Sequence, residues 1–432
     1  MKASLFYLPS IGSREEIEQG MAGLRRDLYQ RMLAELKEQA QLADELEYDS
    51  ISFTEHHFHI EGFELSNNPV LLDLFVAMHT RRIRVGQLAI VLPAQNPLRV
   101  AEDIAMLDHM TGGRANAGFA RGYQRRWVDI LAQHLHGIHG ATPGRHDEVD
   151  AANRAAFEED YQIIKLAWTE DLIDYKGRYW QIPVEGTPWD IEVTRTLGAG
   201  VSEDRTVTQI GVVPKPLQRP HPPIFSPFAS SENTIRWCAR EGVTAILPVM
   251  RLSLQNHLYA VYREEAAAAG RRLVPGEGLA VLRDVLVCDT DAEAQALWRN
   301  SGAFCGAAWF APFHFGDVLI DPETRAIPNV EEMLENGLLL VGSPETVTRQ
   351  MERLLADTPV QWVFAWTYNG LVPHAKLMRS LELFATKVLP RFGFGASAKA
   401  ERPRPRSLGS GDSGRTDISQ RTTEQPPPIG DR

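Results

Sequence analysis

The chain has 432 residues, of which 44% are hydrophobic and 23% charged, so it can bury a large core and is neither fibrous nor wholly disordered. Its net charge of −11 argues against nucleic acids and anionic membrane surfaces as partners. No apolar run is long enough to span a bilayer, and residues 1–10 lack the pattern of a signal peptide. Three widely spaced cysteines without a CxxC pair predict reduced thiols in a cytoplasmic protein.

Short apolar or β-branched runs alternate along the chain with longer segments of helical periodicity. Eight of these runs are predicted as strands: 3–8, 50–54, 83–92, 115–119, 223–226, 244–249, 279–288 and 361–366. Eight strands that are each followed by a helix fit a parallel (β/α)8 barrel, the TIM-barrel fold, better than an open sheet.

Two stretches are too long to be simple connections and are predicted as insertions in the barrel. The first, after the fourth strand, is rich in glycine and proline and covers about residues 172–214. The second, 317–337, precedes the eighth strand. We place the barrel domain at residues 1–396. Residues 397–432 have almost no large apolar side chains to offset their chain entropy, and we predict a disordered C-terminal tail.

A histidine pair follows the second predicted strand, in the motif Glu55-His56-His57. Catalytic side chains of TIM barrels lie at the carboxyl ends of the strands, and histidine titrates near neutral pH. We therefore predict His56 and His57 as catalytic residues, with a general base among them. The alternative is a pair of surface histidines that merely end the strand.

Further histidines leave a zinc site open as a second interpretation. His134, His136 and His139 lie close together in the sequence and could add ligands to the first group. The chain has neither an HExxH pair nor a CxxC pair, however, and we predict no metal ligands.

Two segments have the chemistry of an anion site. Arg121 stands beside a glycine at the end of the fourth strand, where its guanidinium suits a phosphate. Ser230, Ser231 and Thr234 lie at the start of a helix, whose free N–H groups favour anions. Each feature alone is explained by a surface arginine or an N-cap. Together, on one face of the barrel, they predict a phosphorylated cofactor, while the absence of GxGxxG and Walker A motifs argues against a Rossmann or P-loop site.

The order of these motifs resembles the bacterial luciferase-like flavin monooxygenase family. The segments that carry the resemblance are EHHF at 55–58, NP at 68–69, IRVGQLAIVLP at 83–93, PLRVAED at 97–103, TGGR at 111–114 and GFARG at 118–122. The similarity covers roughly residues 1–390 and is greater to the luciferase α-chain than to the deazaflavin-dependent branch.

The resemblance implies an enzyme that receives reduced FMN from a separate flavin reductase. The flavin would react with O₂ to form a C4a-hydroperoxide that oxygenates a small organic substrate, such as an aldehyde, a ketone, or an aromatic or polyketide-like compound. It also implies a homodimer. The alternatives are a deazaflavin-dependent hydride-transfer oxidoreductase, a metal-dependent TIM-barrel hydrolase and a non-catalytic subunit.

By position, the resemblance makes His56 the catalytic histidine, with His57 beside it, and places a non-proline cis peptide under the flavin ring at Leu88–Ala89. The cofactor-binding positions that it implies are Leu88, Ala89, Arg121, Ser230, Ser231 and Thr234. An aromatic group in a late segment is a candidate substrate wall, or alternatively core packing: Trp309, Phe310, Phe313 and Phe315.

Overall fold

The computed structural model describes residues 1–145 and 147–394, so the predicted tail and residues 395–396 of the predicted domain lie outside it. The strands are β1 (Lys2–Tyr7), β2 (Ser50–Phe53), β3 (Arg84–Gln87), β4 (Ile90–Val91), β5 (Ala115–Ala120), β6 (Tyr175–Lys176), β7 (Gln181–Ile182), β8 (Ile224–Ser226), β9 (Thr244–Leu247), β10 (Leu279–Val287), β11 (Leu339–Gly342) and β12 (Trp362–Thr367).

The helices are α1 (Arg14–Glu18), α2 (Arg26–Glu45), α3 (Pro69–His79), α4 (Pro97–Met110), α5 (Arg125–Leu131), α6 (Glu148–Thr169), α7 (Glu192–Leu197), α8 (Glu232–Glu241), α9 (Leu252–Ala268), α10 (Asp291–Asn300), α11 (Gly302–Cys305), α12 (Val330–Glu335), α13 (Pro344–Asp357) and α14 (His374–Leu383). No helix in the described ranges has the length and apolarity needed to cross a membrane.

Parallel pairing closes the sheet into a barrel in the order β1-β2-β3-β5-β8-β9-β10-β12, with β12 returning to β1. These strands coincide with the eight predicted runs, so the predicted TIM barrel is confirmed. The strands are buried on both faces because helices cover the outside, which is why they read as continuous apolar runs in the sequence.

The predicted third strand is divided in two by a cis peptide bond between Leu88 and Ala89. β3 ends before this bond, and β4 follows it and pairs with β5. The neighbouring strand approaches closely here, since a Cβ on Gly118 would lie 2.0 Å from the carbonyl oxygen of Gln87. Only glycine fits at that position, and it allows β5 to approach the end of β3 this closely.

Several helices begin with the same local chemistry. Asn68, Asn96 and Ser343 each accept a hydrogen bond from a first-turn N–H group, and a proline occupies the next position. A side-chain cap followed by proline is a strong start signal because it satisfies a free donor and sets φ for the helix. The helix start predicted by serine, proline and acid at 343–345 is confirmed as α13.

The insertion between β5 and β8 contains α5, α6, the antiparallel β6–β7 hairpin and α7. Two side chains of α6 hold the hairpin. The Glu159 carboxylate accepts hydrogen bonds from three successive backbone N–H groups at 178–180, and Asp160 accepts one from the Trp180 indole at 2.6 Å. The β6–β7 hairpin is therefore fixed to α6.

The second insertion lies between α10 and β11 and includes α11, short helical turns through 306–319, and α12. It starts earlier in the chain than the predicted stretch 317–337. β11, which ends it, is a strand that the sequence did not predict. β11 pairs with the last four residues of β10 and lies beside the barrel ring rather than in it.

Candidate active site

A cavity of about 420 Å³ opens at the carboxyl ends of the barrel strands. It is lined by side chains that follow β1, β2, β3, β5, β8 and β9, which agrees with the usual position of active sites in this fold. The structure brings the following predicted site residues together around it: His56, Leu88, Ala89, Arg121, Ser230, Ser231 and Thr234.

His56 is buried at the inner end of this cavity, directly after β2. Its Nδ1 lies 2.9 Å from the Thr54 hydroxyl oxygen. Burial holds the pKa of His56 well below its usual value, and the neighbouring His59 and His57 lower it further. The imidazole is therefore neutral at neutral pH and has a lone pair with which to take up a proton.

His57 is not among the side chains that line the cavity. Its ring packs against Trp127 with centroids 5.1 Å apart, and its Nε2 lies 3.0 Å from Oε1 of Glu55. The other oxygen of Glu55 accepts the backbone N–H of Val91 at 2.7 Å. The His57–Glu55 pair thus fastens the loop after β2 to β4, and the two predicted catalytic histidines occupy different environments.

Glu64 is a residue of this site that the sequence did not indicate. It lies in the loop between β2 and α3 and is 1% exposed, and its Oε1 is 3.4 Å from Nε2 of His56. Oε2 accepts hydrogen bonds from the Gln124 amide and the Trp309 indole, both at 2.7 Å. Burial raises the pKa of Glu64 to about 7. Its one sequence signal is an acid between apolar neighbours in a loop.

Arginines converge at the opposite end of the cavity. Nη1 of Arg121 donates to the Asp150 carboxylate at 2.6 Å, across the first turn of α6. Arg154, one turn further along α6, lines the same cavity. Burial lowers the pKa of Arg154, and the like charge of Arg121 adds to this effect. The sequence did not indicate Arg154, because an arginine in a helix is usually on a solvated face.

The start of α8 completes this end. Ser231 is the N-cap: its hydroxyl oxygen accepts the N–H of Thr234 at 3.4 Å, and the hydroxyl groups of these two residues lie 3.1 Å apart. Ser230 precedes the cap and also faces the cavity. First-turn N–H groups, three hydroxyl groups and two arginines together have the chemistry of an anion-binding site, and we call this part of the cavity its anion-binding end.

The space between the two ends is apolar. Its wall is formed by Leu8, Leu88, Val91, Phe228, Phe310, Phe315 and Val318. Of the predicted aromatic cluster, Phe310 and Phe315 contact the cavity, while Phe313 packs on Tyr123 with ring centroids 5.1 Å apart. Trp309 reaches Glu64 instead. Two residues of the cluster therefore form part of the cavity wall, and the other two contact residues that line the cavity.

Within residues 1–145 and 147–394, no three or more His, Cys, Asp or Glu side chains converge in a way that could hold a metal ion. All three cysteines are free thiols and are buried.

A model of the luciferase-like monooxygenase family matches residues 19–361. The oxygenase component of flavin-dependent trigonelline monooxygenase from Acinetobacter baylyi is 25% identical over 378 residues, which cover 85% of this chain and 91% of that protein. The alkanal monooxygenase alpha chain of Photorhabdus luminescens is 34% identical over 230 residues, which cover 53% of this chain and 52% of that protein.

Among solved structures, the oxygenating constituent of 3,6-diketocamphane monooxygenase from Pseudomonas putida, a type II Baeyer–Villiger monooxygenase in complex with FMN, superimposes with a TM-score of 0.68. It is 23% identical and covers 90% of this chain and 98% of that one, which shows the same fold. The family match spans the strands that present His56 and Arg121 to the cavity. The chain therefore belongs to the luciferase-like monooxygenase family and is an oxidoreductase of that family.

Proposed function

We propose that the protein is the oxygenase component of a two-component monooxygenase, which uses reduced FMN and O₂ to oxygenate a small aldehyde, ketone, or aromatic or polyketide-like substrate. The observation that carries the proposal is the single cavity that joins an anion-binding end, an apolar middle and a buried neutral histidine. The trigonelline relative, named as a flavin-dependent oxygenase component, and the FMN-bound structural neighbour support it.

The residues present fit FMN. A cavity of about 420 Å³ is within the range of about 300–1,000 Å³ that small-molecule sites occupy. In the described part of the chain, Arg121 uses only Nη1 to bond Asp150, so its other N–H groups can donate to a phosphate. The apolar middle, which includes Leu88, Ala89 and Phe228, suits a flat ring system.

Each part of the site then has a definite role. Reduced FMN supplies two electrons that activate O₂, so that one oxygen atom enters the substrate and the other leaves as water. Arg121, Ser231 and Thr234 hold the phosphate. The aromatic wall excludes water, which prevents the activated oxygen from being lost as hydrogen peroxide before it reacts with the substrate. Neutral His56 accepts a proton at a ring nitrogen within the cavity.

Two partners belong to this proposal. A flavin reductase would deliver reduced FMN, since the trigonelline relative is named as the oxygenase component of its monooxygenase. A homodimer is supported by the outer faces of α3 and α4, which expose Leu71, Met78 and Met110 to 62%, 77% and 60%. Light scattering after size-exclusion chromatography measures the assembly, and a monomer at all concentrations would contradict this part.

The direct test loads the protein anaerobically with reduced FMN and mixes it with oxygenated buffer in a stopped-flow spectrometer. We expect bound FMN to be reoxidised in resolved phases and more slowly than free FMN, with ketones or aldehydes accelerating the last phase. Reoxidation at the rate of free FMN would contradict the proposal. Tight binding of a reduced deazaflavin in place of FMN would favour hydride transfer instead.

A further inference from the structure

Glu64 is held in an environment that does not favour its charged form. In the described residues, no lysine or arginine contacts its carboxylate, and all three hydrogen-bond donors to it, Gln124, Trp309 and Tyr123, are neutral. A carboxyl group that is 1% exposed and lacks a cation is costly to bury. A purely structural role would be filled at lower cost by glutamine, so the carboxyl group itself requires an explanation.

Three polar groups along the cavity form a continuous chain that ends on Glu64. The Thr54 hydroxyl oxygen lies 2.9 Å from Nδ1 of His56, and Nε2 of the same ring lies 3.4 Å from Oε1 of Glu64. All three residues line the cavity. The second contact is longer than an ordinary hydrogen bond, but catalytic contacts of this kind tighten when ligands bind.

We propose that Glu64 is a positioning residue that holds the proton for His56 and selects which nitrogen of the imidazole is free. When Glu64 is ionised, Nε2–H points at the carboxylate and Nδ1 has the lone pair. When His56 takes a proton at Nδ1, it passes the Nε2 proton to Oε1, so that one proton enters, one proton ends on Glu64, and the negative charge of the carboxylate is neutralised. No heavy-atom bond changes in this step.

The raised pKa of Glu64, about 7, places this exchange in the physiological range. The titratable groups that face it come from every surrounding element: His56 and His59 from its own loop, Tyr123 from the end of β5, and Cys305 from α11. Apart from His56, none of them competes for the proton near pH 7, because burial lowers the pKa of His59 to about 4 and raises the pKa values of Tyr123 and Cys305 well above their usual values.

One charged group lies further out. Arg126 is paired with Glu61 at 2.6 Å, and its positive charge lowers the pKa of Glu64 only as the last of several effects. Glu64 therefore remains the group whose proton state changes beside His56.

This inference rests on the proposed function of His56, but its test requires no flavin. Protein labelled with ¹⁵N-histidine is titrated by NMR from about pH 5.5 to 8.5, and the His56 signals are assigned by their loss in His56→Gln. We expect the protonated nitrogen to change from Nδ1 to Nε2 with a midpoint near pH 7. In Glu64→Gln the tautomer should stay the same throughout this range.

The matched control is Asp160→Asn. Asp160 is also a buried carboxyl group that accepts an indole N–H, and burial raises its pKa to about 8, but it does not line the cavity. The His56 switch should be unaffected in this variant. An unchanging His56 tautomer in the wild-type protein, or the same switch in Glu64→Gln, would overturn the proposal.

If Glu64→Gln does not fold, Glu64→Asp decides, because it withdraws the carboxyl group from His56 by one methylene. If the midpoint of the His56 tautomer change moves by about one pH unit or more in Glu64→Asp, the proposed proton exchange with Glu64 is supported. An unmoved midpoint contradicts it. If the His56 tautomer does not depend on Glu64 but the protein binds FMN, this inference fails and the proposed function stands. If the protein does not bind FMN but the tautomer change occurs as expected, the proposed function fails and this inference stands.

Discussion

The two ends of the cavity obtain their chemistry in opposite ways. At the anion-binding end, Arg121 directly after β5 and Ser231 at the start of α8 are partly exposed, so the guanidinium and the helix N–H groups stay hydrated or paired without a ligand. At the other end, His56 and Glu64 are buried, and burial shifts the pKa values of both towards their uncharged forms. Affinity for a charged ligand requires available charge, whereas proton transfer near pH 7 requires a group whose charge is disfavoured.

The largest effect that separates the two ends is expected for His56→Ala. Loss of a general base typically costs about 10²–10⁴-fold in rate, so substrate oxygenation should fall by that amount while the dissociation constant of reduced FMN changes little. Product formation and FMN fluorescence titration measure the two quantities. The loss in His57→Ala should be much smaller because His57 does not line the cavity. Equal losses in the two variants would refute the assignment.

Glu64 should also make the stability of the protein depend on pH. A carboxyl group whose pKa is raised on folding, here from 4.5 to about 7, binds its proton more tightly in the folded state. Stability is therefore lost as the pH rises through this interval, by about 3 kcal/mol for a shift of this size. Urea unfolding at pH 5 and pH 8 should show Glu64→Gln gaining about 2–3 kcal/mol relative to wild type. A difference independent of pH would show that Glu64 does not titrate in this range.

At the anion-binding end, Arg121→Ala should weaken binding of reduced FMN by about 10–100-fold, since a hydrogen bond to a charged group contributes about 1.5–3 kcal/mol. Isothermal titration under anaerobic conditions measures the change. Arg125→Ala is the control, because Arg125 is exposed and paired with Asp129 on α5. If both variants bind FMN like the wild type, the phosphate lies elsewhere.

The smallest effect is expected at Ser231, and the chain contains its own control. Ser231 with Thr234 and Ser343 with Thr346 form the same N-cap arrangement, with hydroxyl oxygens 3.1 and 3.3 Å apart. Alanine at either serine should cost about 1 kcal/mol of stability. Only Ser231→Ala should also weaken FMN binding, by a few-fold. Weaker FMN binding in Ser343→Ala would show that the effect is a general loss of stability.

The same contrast explains how much the sequence could predict. Buried parallel strands such as 279–288 are continuous apolar runs, and the N-caps are local patterns, so the barrel and the residues at its helix starts were predictable. His56 and Arg121 were found because they directly follow strands. Glu64 was not, since its partners His56, Gln124 and Trp309 are 8, 60 and 245 positions away, and only the folded chain brings them together.

The pairing of β10 with β11 determines where the sequence of this enzyme can vary without disturbing the barrel. Its last four residues pair with β11, so the chain leaves the sheet at Val287 and returns to it at Leu339, which lies opposite Asp284. The ends of the intervening segment are therefore held close together, and its length and sequence can vary at little entropic cost. That segment contains Phe310 and Phe315, which face the cavity. We expect that exchanging this segment between relatives would alter which substrates are accepted, while the residues proposed to bind the phosphate, on other elements, remain in place.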